Sequence, residues 1–147
     1  DTEAMVELFQ KNGYKVVNIS EIADVYVINT CTVTNLGDRK SRQFIRRAKK
    51  NNPESIIVVV GCYAQIASEE VLKIEGVNLV IGTNERNKIV ELVESVDINE
   101  KINFVNNMLN ILKSTPPSHY SINFNTRLII QNIFCQMTSS KTCYPSN

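Results

Sequence analysis

The feature that most constrains the fold is an uninterrupted run of five β-branched residues, Ile56 to Val60. Such residues favour strands, and a strand without polar alternation is typical of a parallel sheet that is covered on both faces. Val25 to Asn29 and Val77 to Ile81 are further candidate strands, and each is apolar except for one asparagine. The chain is therefore predicted to contain a buried parallel sheet.

Helical patterns alternate with these strands. Helices are predicted over 2–12, 35–50, 65–74 and 84–96, and a further short strand over 14–19. Gly13, Pro53 and Gly76 follow three of the helices as stop signals, and Asn84 is a candidate N-cap for the fourth. The alternation predicts an α/β fold with a doubly wound, mostly parallel sheet and helices on both faces.

The two ends of the chain fit this pattern less well. The first helix has no strand before it, so a missing first strand is expected upstream of Asp1. All 15 acidic residues lie at or before Glu100, whereas folded surfaces normally mix both charge signs. We therefore predict a domain over 1–97 and a linker with an irregular tail over 98–147, in which Leu128–Phe134 could form one more strand.

The composition limits the classes of protein to which the chain can belong. The 147 residues, 43% of them hydrophobic and 21% charged, predict one soluble globular domain with a core. The net charge of +1 excludes a global field that attracts nucleic acid or membranes. The sequence shows neither a spanning apolar stretch nor a secretory signal. Four cysteines without small-scaffold spacing indicate a reducing compartment, by default the cytoplasm.

Two cysteines follow predicted strands. Cys31 and Cys62 are 31 residues apart, about one β-α-β unit, so both are expected at the carboxyl edge where open α/β sheets bind ligands. Thiols on neighbouring strands, about 4.8 Å apart, could share a metal centre. Buried core cysteines are an equal alternative from spacing alone. An iron–sulfur cluster usually takes three or four thiolates, so a third ligand is expected in the loop after the missing strand.

The second predicted helix is strongly basic. Arg39, Arg42, Arg46 and Lys49 fall on one stripe, with Lys50 beside it. Between Leu36 and Asn52 the chain has seven basic residues against one acidic residue. A solvated face is the ordinary interpretation of such a run. The mutual repulsion of these charges equally favours a polyphosphate partner such as RNA, and both interpretations stay open.

The remaining cysteines, Cys135 and Cys143, lie in the tail. Seven residues separate them. This spacing fits neither a zinc pair nor the C-x₃-C-x₂-C pattern of a radical-generating cluster. Both are therefore interpreted as incidental tail cysteines.

Five motifs carry a resemblance to a known family: "DTEAM", "VINTCTVTN", "DRKSRQFIRRA", "VVVGCYAQ" and "VIGTNER". Together they cover residues 1 to about 97 and resemble the amino-terminal domain of the methylthiotransferases. Those are radical S-adenosylmethionine enzymes that add a methylthio group to tRNA or to a ribosomal protein. "NTCTVTN" followed by "DRKSRQ" resembles the branch that modifies C2 of N6-threonylcarbamoyladenosine beside the tRNA anticodon.

The resemblance implies an auxiliary [4Fe-4S] cluster held by three cysteines. Two of them match Cys31 and Cys62, and the third belongs to a "GC" motif upstream of Asp1. S-adenosylmethionine and a second [4Fe-4S] cluster belong to the radical domain of full-length members, which a small RNA-binding domain follows. Neither later domain is recognisable here, and "TRLIIQNIFCQ", roughly where the radical motif should begin, has the wrong cysteine spacing.

The resemblance thus predicts a truncated tRNA methylthiotransferase, from a fragmentary or frame-shifted gene, that is inactive without its missing domains. tRNA would be the partner of the full-length enzyme, with the basic stripe contacting tRNA or a neighbouring domain. The alternative is a non-catalytic α/β module that binds RNA or another partner and keeps Cys31 and Cys62 as structural cysteines.

Overall fold

The structure is a computed structural model that describes residues 2–30, 39–105 and 126–133. The helices are α1 (Thr2–Lys11), α2 (Arg39–Asn51), α3 (Cys62–Ile66), α4 (Ser68–Leu72) and α5 (Ile89–Ser95), with a 3₁₀ helix over Thr83–Lys88. The strands are β1 (Lys15–Val16), β2 (Val25–Thr30), β3 (Ile56–Gly61), β4 (Leu79–Ile81), β5 (Ile102–Phe104) and β6 (Arg127–Ile133).

The described strands form one six-stranded sheet in the order β1-β6-β2-β3-β4-β5. Every neighbouring pair is parallel. Thr30 at the end of β2 pairs with Gly61 of β3 on one side and with Ile133 of β6 on the other. The predicted mostly parallel α/β sheet is therefore confirmed, and three adjacent strands end level with one another.

The core lies on both faces of the sheet. One cluster packs Phe9 of α1 and Ile89 of α5 against the face that carries Val58. The other packs Ile45 of α2 against the face that carries Ile57 and Val59, together with buried residues of α3 and α4. Successive residues of β3 alternate between two apolar layers. This double burial is the physical reason for the uninterrupted run of β-branched residues.

Strand β6 comes from the part of the chain predicted to be an irregular tail, and it confirms the further strand anticipated there. It lies between β1 and β2, parallel to both. The Arg127 N–H donates to Asp24 Oδ2 at 2.8 Å, and the Arg127 guanidinium pairs with Glu21. The domain boundary at residue 97 stays a prediction. Strands β5 and β6, which lie beyond it in the chain, belong to the same sheet. Positions 106–125 and 134–147 lie outside the described residues.

Three predicted elements differ in detail. The helix predicted over 65–74 is two short helices that begin at Cys62 and are separated at Ala67, whose φ of −121° and ψ of 38° interrupt the helix. The helix predicted to begin at Asn84 opens instead as a 3₁₀ helix at Thr83, without a side-chain cap. The strand predicted over 14–19 is limited to the two residues of β1. None of the helices in the described ranges combines the length and apolar character needed to cross a membrane.

Candidate metal centre and basic helix

The carboxyl ends of β2 and β3 lie side by side at the candidate metal centre. Thr30 and Gly61 are paired across the two strands, and Cys31 and Cys62 are the residues that follow them. Cys62 is exposed and forms no disulfide. Cys31 lies outside the described residues. The structure thus brings together the two strand ends that precede the predicted ligands.

Gly61 makes an abrupt turn from β3 into α3. Its φ is +110°, a conformation that side chains disfavour. A Cβ at this position would lie 2.1 Å from the Thr30 carbonyl oxygen and 2.9 Å from Asn29 Oδ1. The missing side chain therefore allows β2 to approach the turn closely, and α3 begins directly at Cys62.

Thr30 connects the two strand ends through its side chain. Its hydroxyl donates to the Val60 carbonyl oxygen at 2.7 Å and accepts from the Ala64 N–H at 3.4 Å. The residue is only 4% exposed. Because Ala64 lies in α3 with Cys62, this hydroxyl couples the end of β2 to the helix that carries Cys62.

A second contact fixes α3 to the loop after β4. Gln65 Oε1 accepts from the Thr83 N–H at 3.0 Å. A Cβ on Gly82 would lie 2.3 Å from the same oxygen, so the loop packs tightly against Gln65. Neither Gln65 nor Thr30 was singled out from the sequence. The only signal was their place inside the motifs that contain the two cysteines.

The described part of the chain contains no group of three or more His, Cys, Asp or Glu side chains that could hold a metal ion. Cys62 is nevertheless an exposed thiol at the carboxyl edge of a parallel sheet. Thiolates are the ligands that iron–sulfur clusters take. The residue types and the level strand ends therefore fit a cluster that cysteines from several loops would hold.

Helix α2 has one apolar and one basic face. Ile45 and Ala48 are buried against the sheet, whereas Arg42, Arg46 and Lys50 are exposed. Arg42 and Arg46 form no ion pair with any other residue that the structure describes. These exposed cations of the predicted stripe are therefore available to a partner. Arg39 begins the helix.

Lys49 differs from the rest of the predicted stripe. It is half-buried, and its ammonium donates to the Ser55 carbonyl oxygen. Burial lowers the pKa of this ammonium. Lys49 thus secures the end of α2 to the turn before β3, a structural role that the helical projection did not reveal.

A cleft of about 300 Å³ lies beside the basic face of α2. Its lining consists of Arg42, Arg46, Glu70, Lys73, Ile74 and Glu75. Three cations outnumber two carboxylates here, but the mixture of signs lowers the local potential. The cleft by itself therefore does not define a strong anion site.

The fold and site define a class: a parallel α/β domain with a thiol at its ligand edge and a basic helix beside it. Residues 1–82 match the model of a family described as "Uncharacterized protein family UPF0004". The chain belongs to this family. No solved structure matches the chain.

The curated proteins that the chain resembles have named activities. The chain is 46% identical over 114 residues to threonylcarbamoyladenosine tRNA methylthiotransferase MtaB of Bacillus subtilis (strain 168), covering 78% of this chain and 25% of that protein. It is 47% identical over 94 residues to the protein of the same name from Aquifex aeolicus (strain VF5), covering 64% and 23%. These two relatives confirm the resemblance to the amino-terminal domain of the methylthiotransferases and to this branch.

A third relative extends the match along the chain. The tRNA-2-methylthio-N(6)-dimethylallyladenosine synthase of Pseudothermotoga lettingae is 32% identical over 142 residues, covering 92% of this chain and 32% of that protein. Its match therefore includes residues beyond 97, where the quoted motifs stop. The chain spans between a fifth and a third of the length of these three relatives.

Proposed function

We propose that this chain is the auxiliary-cluster domain of a tRNA methylthiotransferase acting on C2 of N6-threonylcarbamoyladenosine. The observation that carries the proposal is the level pairing of Thr30 with Gly61, each followed by a cysteine within a motif of the family. The identity of 46% to the Bacillus subtilis relative supports the choice of substrate. Catalysis would also need S-adenosylmethionine and a second [4Fe-4S] cluster, which belong to the radical domain of the complete enzyme.

Cys31 and Cys62 are the proposed ligands of the auxiliary [4Fe-4S] cluster. When bound, this cluster supplies the sulfur that the complete enzyme transfers. The chain's own residues orient the ligands: Gly61 turns the backbone, and the Thr30 hydroxyl couples the end of β2 to α3. A cytoplasmic location keeps the thiols reduced and available to iron.

Iron–sulfur reconstitution under anaerobic conditions tests the cluster. The unmodified chain should bind iron and show broad visible absorbance from sulfur-to-iron charge transfer. Cys31→Ala and Cys62→Ala should each lower the iron content severalfold, whereas Cys143→Ala serves as a matched control. Unchanged iron content in both ligand variants would reject the cluster. tRNA binding by a chain that takes up no iron would favour the alternative, a non-catalytic RNA-binding module.

The second part of the proposal concerns tRNA. The exposed cations Arg42, Arg46 and Lys50 are proposed to contact the tRNA backbone, with Arg39 at the start of the same helix. Phosphate contacts release counterions, so affinity should fall steeply with salt. Lys49 contributes less, because its ammonium is already bound to the Ser55 carbonyl oxygen.

A double variant tests this contact. Arg42→Gln with Arg46→Gln removes two charges and should lower the slope of log affinity against log salt by about two. The control is the pair Lys11→Gln and Lys88→Gln, two lysines away from α2. Filter binding of tRNA between about 50 and about 200 mM salt measures both slopes. Equal slopes in the double variant and the unmodified chain would mean that the stripe is a solvated helix face that does not contact tRNA.

A further inference from the structure

The cleft beside α2 is lined by charged groups of both signs. They come from two segments of the chain, α2 on the one hand and the end of α4 with the turn after it on the other: Arg42, Arg46, Glu70, Lys73 and Glu75. Within the ranges that the structure describes, these side chains form no ion pair with one another. We propose that the cleft binds a ribonucleotide unit of RNA and distinguishes RNA from DNA at the ribose 2′-hydroxyl, an inference that rests on the proposed tRNA contact.

The size and the floor of the cleft suit a small unit of a ligand. Its volume of about 300 Å³ lies at the lower end of the range for ligand pockets. Gly76 brings the turn after α4 directly against α2, since a Cβ at this position would lie 2.9 Å from Ile45 Cγ2. Ile45 is buried against the sheet, so the cleft rests on the core of the protein. The half-buried Ile74 supplies an apolar surface for a sugar or a base.

The three cations of the cleft fit phosphate groups. Arg42 and Arg46 are four residues apart on α2, so their side chains are neighbours on one face of the helix. Lys73 is exposed and adds a third cation from the other segment. Arginine binds phosphate through a planar array of N–H donors, and lysine binds it as a point charge. Lys73 was not part of the predicted stripe, because it belongs to a different segment of the chain.

The two carboxylates of the cleft give the reason for a sugar hydroxyl. Glu70 and Glu75 repel phosphates, so they weaken a surface that binds only the backbone charge. A carboxylate also accepts strong hydrogen bonds, and the ribose 2′-hydroxyl is a donor that DNA lacks. The Tyr63 hydroxyl donates to Glu70 Oε2 at 3.4 Å. This contact orients the carboxylate and leaves its other oxygen able to accept from a ligand.

Affinities of the full chain for an RNA anticodon stem-loop and for its all-2′-deoxy counterpart test the inference. The unmodified chain should bind the RNA more tightly. Glu70→Ala with Glu75→Ala should lower the ratio of RNA affinity to DNA affinity roughly tenfold, the effect of losing a hydrogen bond to a charged group. The DNA affinity should rise in this double variant, because two negative charges no longer repel the phosphates.

The matched control is Glu3→Ala with Glu7→Ala. Both carboxylates are exposed on α1, which covers the opposite face of the sheet from α2. The affinity ratio should not change in this pair. Circular dichroism checks that both double variants fold.

Two results would overturn the inference and leave the tRNA contact standing. Equal rises of RNA and DNA affinity in Glu70→Ala with Glu75→Ala would show that the carboxylates only repel phosphate. Equal affinity of the unmodified chain for the two probes would overturn the inference without any variant. Failure of the unmodified chain to bind the RNA would overturn both the inference and the tRNA contact.

A single variant tests whether the phosphates occupy the cleft itself. Lys73→Gln should lower the slope of log RNA affinity against log salt by about one, whereas Lys11→Gln, on α1, should leave it unchanged. An unchanged slope in Lys73→Gln would exclude the cleft as the phosphate site and overturn the inference.

Discussion

At the scale of single residues, the Thr30 side chain links the ends of two neighbouring strands to the helix that follows one of them. Its buried hydroxyl forms one hydrogen bond to β3 and one to α3. Such a group is costly to remove, because both partners lose their hydrogen bond in a site with little access to water. Thr30 therefore fixes the end of β2 to β3 and to α3, the helix that begins at Cys62.

Thr30→Val should lower the free energy of unfolding by about 1–3 kcal/mol and should speed the loss of iron from reconstituted protein. Thr30→Ser keeps the hydroxyl and should retain iron at nearly the original rate. Urea unfolding and timed iron release to a chelator measure the two effects. Equal iron release by Thr30→Val and the unmodified chain would limit Thr30 to a role in stability.

Gly61→Ala tests the close approach of β2 to the turn. The alanine Cβ would overlap the Thr30 carbonyl oxygen, and the positive φ adds strain. We expect a loss of more than about 2 kcal/mol in urea unfolding, together with reduced iron uptake. Gly13→Ala is the control, since Gly13 has a φ of +86° but lies away from the cysteines. A similar loss in both variants would mean that backbone strain alone explains the effect.

At the scale of elements, the contact between α5 and the turn after α1 contains a polar pair, the buried Tyr14 and the half-buried Glu94. Burial is the largest cause that raises the pKa of the Tyr14 hydroxyl, and the nearby Glu94 carboxylate raises it further. Burial likewise raises the pKa of Glu94, although its hydrogen bond with Tyr14 opposes the shift. The surroundings of Glu94 therefore favour its protonated, uncharged form.

The direction of this shift predicts a dependence of stability on pH. A carboxyl whose pKa is raised on folding binds protons as the chain folds, so stability falls as pH rises through the raised pKa. Glu94→Gln should remove that fall and raise the unfolding free energy at neutral pH relative to the unmodified chain. Urea unfolding from about pH 4 to about pH 8 measures it, with exposed Glu7→Gln as control. A steeper fall in Glu94→Gln would contradict the assignment.

The short helices α3 and α4 illustrate how tertiary contacts set element boundaries. Isolated helices of five residues are unstable in water. Contacts of Gln65 with Thr83 and of Ala64 with Thr30 hold α3 in place. The local pattern predicted one longer helix because apolar spacing does not reveal the break at Ala67.

At the scale of the whole molecule, the last described strand, β6, pairs with the first one, β1. Within the described sheet, β1 pairs only with β6, so the first described strand depends on the last. Leu128 lies in the core that α1 and α5 cover. Strand β6 is therefore integral to the sheet.

Leu128→Ala should lower the free energy of unfolding by about 2–5 kcal/mol, the cost of a cavity at a fully buried leucine. Ile102→Ala, at a half-buried position of the edge strand β5, should cost less. Denaturant unfolding followed by circular dichroism compares the two. A negligible effect of Leu128→Ala would mean that β6 contributes little to the stability of the sheet.

The sequence by itself determined the α/β class, the strands β2 and β3, and the placement of Cys31 and Cys62 after them. These features depend on local periodicity and burial, which a run such as Ile56–Val60 expresses directly. Tertiary structure decided that β6 lies beside β2, that Thr30 bridges the strand ends, and that Lys49 bonds to Ser55. Pairing between distant segments depends on which surfaces the whole chain can bury together, and that information is absent from any local pattern.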